Sequence, residues 1–177
     1  MAVLNTHIRR IPVSAARAGA LLDTLAGPGD VLWPSDSWPP LVLDRPLSTG
    51  AAGGHGVVRY TVQGYQPGRW LNCRFDRVFG TAGVEGFHEF LVLDAGNDET
   101  LLVHQLAARL SGRFRLIWPL AVRWLHDALI EDLLDHAEYE LTGSVRTPAR
   151  WNGYVRLLRA ALGRAGTSTP RVAAHAV

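Results

Sequence analysis

Three histidines, His88, His104 and His126, stand where apolar side chains would be expected, and they are the residues of this sequence best suited to chemistry. In the strand expected at Glu85 to Leu93, period-two alternation puts His88 on one face with Phe90 and Val92. In the strand expected at Thr100 to Leu110 it puts His104 with Leu102 and Leu106. A hairpin folded about Gly96 sets His88 opposite His104 and Phe90 opposite Leu102, unless a bulge in the turn shifts the register. The third ring belongs to a helix over residues 113–142. Projected at about 100° per residue, Leu125, Leu129, Ile130, Leu133, Leu134, Ala137 and Leu141 cover one arc with His126 at its centre. Asp127, Glu131, Asp135 and Glu138 cover the opposite arc, which is expected to be solvated.

Rings on one inward surface admit three readings. Each is hydrogen-bonded within a closed core; or together they line a ligand cavity, where an imidazole of pKa near ~6.5 donates, accepts or shuttles protons; or they hold a metal. No His-x-His or His-Glu-x-x-His spacing supports the third, so neither metal nor cofactor is expected. In a cavity, His88, His104 and His126 would anchor the polar part of a ligand. In an enzyme, His88 or His104 would act as general base beside a carbonyl, with Tyr60 or His126 stabilising the enolate oxygen, which gives cyclisation or dehydration.

Other candidates carry blander explanations. His55 lies in the glycine-rich stretch Gly50 to Gly56, read as a loop at the mouth of the sheet; a strand follows it where a phosphate-binding loop needs a helix. Glu131 and Asp132 invite an acid–base role, but a charged helix face accounts for Glu131. His136 is a boundary residue, and the single Cys73 is core filler in a strand, without the partner that a disulfide needs.

Several classes are excluded by composition. All 18 basic residues are arginine, and residues 143–177 hold six of them with no acid, so the body is net −4 and the basic character belongs to the C-terminal end. A mildly acidic body argues against nucleic-acid binding. No run is apolar enough for a membrane span, and the start MAVLNTHIRRIPV lacks the apolar stretch of a signal peptide. A cytoplasmic protein is expected, not an integral membrane one, with a homodimer among the options.

The elements that must position these residues follow a simple order. A strand over Thr6 to Ile11 leads to a helix starting at the N-cap Ser14 and stopped by Gly27-Pro28-Gly29. DVLWPSDSWPP, residues 30–40, reads as a helical turn and packed loop bearing Trp33 and Trp38. An antiparallel meander follows, with strands at 41–44, 57–65, 69–75, 85–93 and 100–110 and a short one at 77–79. Its inner face carries Tyr60 and Phe75 beside the histidines. After the long helix, residues 143–165 form a basic amphipathic extension in which Trp151, Tyr154, Val155, Leu158, Ala161 and Leu162 share one side and Arg156 and Arg159 the other. Its apolar side is expected to dock on its own domain or a twin subunit; the alternative is an interaction module in which the cavity is collapsed and this basic helix binds a partner or an anionic membrane surface. A disordered tail over 166–177 is expected.

This order, with the phrases RIPVSAARAGALLDTLAG, WPPLVLDRPL, GGHGVVRY, YQPGRWLNCRF, FHEFLVL and WPLAVRWLHDALIEDLLDHAE, resembles the SRPBCC superfamily of START-like lipid carriers and polyketide cyclases, most of all its actinobacterial members. The likeness covers residues 6–142 and contains no motif specific to a reaction. It implies an α+β helix-grip fold over 1–142, a curved antiparallel sheet of six or seven strands around a long C-terminal helix, with an internal cavity for an apolar small molecule. On that basis Tyr60, Phe75, Phe90, Leu102, Leu106, Leu129 and Leu133 are expected to line the cavity, His55 to stand at its mouth, and Trp33, Trp38 and Trp118 to form its lid. The members of this superfamily run from carriers to enzymes, so fold alone does not choose between them.

Overall fold

The computed structural model describes residues 1–166. Seven strands, β1 (Ala2–Ile11), β2 (Val42–Leu43), β3 (Ala52–His55), β4 (Val58–Gln66), β5 (Trp70–Val78), β6 (Val84–Gly96) and β7 (Glu99–Leu110), form one antiparallel sheet in the order β1-β7-β6-β5-β4-β3-β2. Helix α1 (Ala15–Leu22) follows β1. Beyond β7 come α2 (Phe114–Ile117), a π turn (Trp118–Val122), α3 (Arg123–Thr142) and α4 (Gly153–Gly166). This is the helix grip, with seven strands.

Helix α3 holds the sheet because its apolar arc is real: Leu129, Ile130, Leu133, Leu134 and Ala137 are buried against the sheet and α1. At its end Gly143 adopts φ 77° and its N–H donates to the Tyr139 carbonyl at 2.7 Å, a left-handed cap that side chains with a Cβ resist. The helix does not run unbroken from residue 113. Pro119 has no N–H to give, and the chain passes it as the π turn, which separates α2 from α3.

Several expected boundaries move. Strand β1 begins at Ala2, four residues before the expected start, and β5 extends to Val78, absorbing the short strand at 77–79. Helix α1 stops at Leu22, and residues 30–40 form the packed loop with one helical turn at Pro34–Trp38, where the Trp38 N–H donates to the Pro34 carbonyl at 2.9 Å; before it Asp30 accepts the backbone N–H groups of Leu32 and Trp33, each at 2.9 Å. The glycine-rich stretch is not a loop throughout. Ala52–His55 is a strand paired with β2 and β4, and a Cβ on Gly53 would lie 2.0 Å from the Val42 carbonyl oxygen, so only glycine allows that approach.

The β6–β7 register also differs from expectation. Asn97 and Asp98, with φ of 53° and 55°, make the turn themselves, as these residue types tolerate. A bulge between Asp94 and Gly96 then sets Phe90 opposite His104 and His88 opposite Leu106. His88 and His104 are therefore diagonal neighbours on one face, not a direct pair.

Helix α4 docks on its own domain with Val155 buried. Arg159, expected on the outer side, faces inward: its guanidinium lies 3.7 Å from the Trp151 ring centroid and 4.3 Å from that of Trp38. Asp132 accepts from both indoles, Trp38 at 2.7 Å and Trp151 at 2.9 Å. Gly166 closes α4, and residues 167–177 of the expected disordered tail lie outside the described residues. Among the described residues no helix is long and apolar enough to cross a membrane.

Candidate functional site

Two clusters of buried side chains leave a gap between them. One centres on α3, α1 and the middle of the sheet; the other joins Val78, Leu106, Ala108, Leu110, Phe114 and Trp118. The gap is a cavity of about 580 Å³ whose wall draws on both clusters.

Of the residues expected at the site, Trp33, Trp38, His55, Tyr60, Phe75, His88, Phe90, His104, Leu106, Trp118, His126 and Leu129 line this cavity. Leu102 and Leu133 do not. They are 1% and 0% exposed in the solid part of the larger cluster, where the α3–sheet packing leaves no space. Trp33, Trp38 and Trp118 are themselves buried, and Leu162 from α4 borders the cavity beside them.

The aromatic and imidazole rings form a continuous series across the wall. His55 packs on Trp33, with 4.8 Å between ring centroids; Tyr60 meets His88 edge-on at 4.8 Å; Phe75 stacks on His88 at 5.2 Å. His88 and His104 are 5.6 Å apart, and His104 and His126 5.1 Å. Phe90 packs edge-on against His104 at 4.7 Å, its cross-strand partner. Strands β6 and β7 supply two of the imidazoles and α3 the third.

These rings are neutral. Burial pushes His55 down to about 4 and His88 down to about 3, and it holds His104 and His126 below the usual imidazole range, with the neighbouring histidines adding to it at all four. Burial likewise raises the Tyr60 phenol well above its ordinary value and the Cys73 thiol to about 12, so neither ionises readily and Cys73 is no nucleophile. His88 Nε2, His104 Nδ1 and His126 Nδ1 are buried without a hydrogen-bond partner. The reading in which each ring is satisfied within the core therefore fails for these three atoms. A buried polar atom left unpaired costs ~1–3 kcal/mol, which a ligand with complementary groups would recover.

His7, absent from the expected set, is the largest addition. It projects from β1 toward α3, between Asn5 and Arg9 on the same strand face, and His104 is its partner on β7. Its Nδ1 lies 2.6 Å from Glu131 Oε1 and its Nε2 3.2 Å from Asp127 Oδ1. Burial opposes charge on this ring, but hydrogen bonds to Asp127 and Glu131, and their negative charges, outweigh it and hold His7 up at about 9. Arg9 reaches Glu138 at 2.7 Å, Asp135 at 2.8 Å and Glu131 at 3.1 Å. The acidic arc of α3 is thus docked on β1 instead of facing solvent, and Glu138 is 2% exposed. The alternation Asn5, His7, Arg9 on an edge strand, matched to acids at helical spacing, is the signal that marks this ionic seam. His136 stands at the boundary as expected, half-buried and 3.8 Å from Asp36.

No family model matches the sequence, and no curated protein matches it. The structure does find likenesses. A truncated norcoclaurine synthase from Thalictrum flavum superimposes with a TM-score of 0.61 at 12% identity, over 80% of this chain and 95% of that one. The same enzyme in complex with dopamine and hydroxybenzaldehyde gives 0.56 at 14% identity, over 82% and 90%. CalU16 from Micromonospora echinospora gives 0.54 at 15% identity, over 95% of this chain and 96% of that one.

Proposed function

We propose that the chain, on the helix-grip fold it shares with these structures, is an SRPBCC-type protein that binds an apolar small molecule, lipid-like or polyketide-like, in the cavity between sheet and α3. The observation that carries the reading is an interior space of about 580 Å³ whose apolar wall is interrupted by a few converging imidazoles. Ligand sites have this character: a volume of roughly 300–1,000 Å³, mostly apolar walls and a small number of placed polar groups. A ligand burying ~400 Å² of apolar surface gains about 10 kcal/mol at about 25 cal/mol per Å², before the entropy of association is subtracted. Affinity then needs no charged contact. The unpartnered His88 Nε2 and His104 Nδ1 would hydrogen-bond the ligand's carbonyl or hydroxyl groups.

A second reading rests on the same two atoms. A neutral imidazole can accept a proton, and although burial makes these two weak bases, His88 or His104 would take a proton beside a ligand carbonyl while Tyr60 or His126 stabilises the enolate oxygen. Norcoclaurine synthase, an enzyme with a similar fold solved in complex with dopamine and hydroxybenzaldehyde, supports this reading. A third reading, a collapsed cavity with α4 as a partner-binding helix, finds no support: the cavity is open and α4 packs on its own domain.

Native mass spectrometry of the freshly expressed chain tests the binding reading, backed by titration with an anilinonaphthalene probe read through quenching of Trp33, Trp38 and Trp118. Saturable one-to-one binding, or a co-purifying apolar ligand, is expected. Absence of both overturns it. His88→Ala and His104→Ala separate the two readings once a ligand is known: a carrier loses affinity alone, whereas an enzyme loses turnover with its fold intact.

A further inference from the structure

We infer that His7, His126 and Asp127 form a binding site for a divalent transition metal ion of the zinc type, at the seam between β1 and α3. Among the described residues, this is the one group of three metal-ligating side chains whose ligand atoms all lie within 4.8 Å of one another. It differs from the His88, His104, His126 trio that the sequence suggests, and it depends on the residue that reading left out.

The distances suit a shared ion. Asp127 Oδ1 lies 3.2 Å from His7 Nε2 and 3.8 Å from His126 Nδ1. Ligands about 2.0–2.1 Å from a tetrahedral zinc stand roughly 3.3–3.4 Å from one another, so small side-chain rotations suffice. Two imidazoles and a carboxylate are a donor set that zinc and its neighbours prefer over calcium or magnesium.

The surrounding groups are arranged as the outer shell of such a site. Glu131 Oε1 at 2.6 Å accepts the proton of His7 Nδ1, which aims Nε2 at the Asp127 carboxylate, and an ion binding there would displace the Nε2 proton and take up its lone pair. The Asn5 amide nitrogen donates to Asp127 Oδ1 at 2.8 Å and orients the carboxylate. Two buried atoms beside the three ligand side chains have no hydrogen-bond partner, His126 Nδ1 and Asn5 Oδ1. An ion would satisfy the first directly, and a water on its fourth position the second. The side chain of Asp127 is 31% exposed against 12% for His7 and 15% for His126, which gives the ion a way in from solvent. Because His126 also lines the cavity, an ion on Nδ1 would fix its tautomer, leaving Nε2–H as the group offered to a ligand.

Without an ion, a proton on His7 shared with Asp127 and Glu131 would hold the seam by itself, and the test separates these cases. Tag-free full chain is titrated with Co²⁺, and the tetrahedral ligand-field absorption is followed. One ion per chain is expected, with His7→Gln and Asp127→Asn each weakening binding by 100-fold or more. Glu131→Gln, which removes only a positioning contact, weakens it by 10–100-fold. In parallel, long-range ¹H–¹⁵N spectra of the wild-type chain are recorded with Zn²⁺, a measurement that needs no variant to fold. His7 Nε2 and His126 Nδ1 should shift while the His55 and His88 rings stay in place. No uptake of Co²⁺, equal binding by the variants, or Zn²⁺ shifts on other rings instead overturns the proposal.

Discussion

His104 of β7 and His126 of α3 face each other across the interior with 5.1 Å between their ring centroids, and each buries an Nδ1 that no protein group satisfies. Sheet and helix thus meet at this point through two neutral imidazoles where aliphatic side chains would pack without penalty. Under the proposed function a ligand's polar end lies against His104, and under the metal proposal an ion takes up His126 Nδ1.

Replacement of His104 by phenylalanine separates stability from binding. The substitution removes an unpaired buried nitrogen, and the adjacent cavity takes up the slightly larger ring, so urea unfolding should show the variant more stable by about 1 kcal/mol. Ligand affinity should fall by tenfold or more in the same protein, because a hydrogen-bonding anchor is gone. A destabilised variant with unchanged affinity would mean that His104 serves packing alone.

The buried imidazoles make stability depend on pH in a known direction. His55 and His88 titrate at about 4 and about 3 when folded, against ~6.5 in the unfolded chain. Below pH ~6.5 the unfolded chain binds protons that the folded one refuses, so stability falls as pH drops. It does so by up to about 1.4 kcal/mol per pH unit for each ring until the folded value is reached. Urea midpoints measured at pH 7 and pH 5 should differ accordingly, and His88→Phe should flatten the slope. A midpoint that rises on acidification would contradict the burial of these rings.

Much of the architecture can be read from the chain because its strongest patterns are local. Alternation in β6 and β7 and the 3.6-residue period of α3 put His88, His104 and His126 on inward faces, and the cavity does collect them. What local patterns do not contain is register and company. Two residues, Asn97 and Asp98, decide which side chain faces His104. Nothing near Leu102 or Leu133 distinguishes a solid contact from a cavity wall, since both outcomes require the same apolar residue. His7 escapes notice for the converse reason. It lies on a polar edge strand, and its meaning appears only once Asp127 and Glu131, more than a hundred residues away, are laid against it.

Gly19 of α1 allows the helix to cross the β4–β5 hairpin at contact distance: a Cβ there would lie 2.1 Å from the Gly68 carbonyl oxygen. Backbone cannot yield as a flexible side chain does, so Gly19→Ala should push α1 outward. Asp23 is displaced with it, and its carboxylate accepts from the Gly68 N–H at 2.8 Å and the Tyr65 hydroxyl at 2.7 Å. A loss of about 2–3 kcal/mol is expected by urea unfolding, of the size that overpacking produces. A neutral or stabilising outcome, which helix propensity alone would give, would show that the crossing is looser than described.

Arg159 decides how firmly α4 closes the cavity. Its guanidinium lies over the rings of Trp151 and Trp38, and three residues further on Leu162 borders the cavity. A cation over two indoles in a partly desolvated place is worth about 1–2 kcal/mol, and Asp132, which accepts from both indoles, ties the same group to α3. Arg159→Ala should therefore loosen α4 while the sheet and α3 keep their packing. Amide hydrogen exchange should quicken in 153–162 and remain unchanged in β6 and β7. Stopped-flow release of the bound naphthalene probe should accelerate by roughly tenfold, with association little altered, because a cover that opens more often mainly shortens residence. Unchanged release despite faster exchange in α4 would mean that ligands leave by another route, and that α4 braces the domain without gating it.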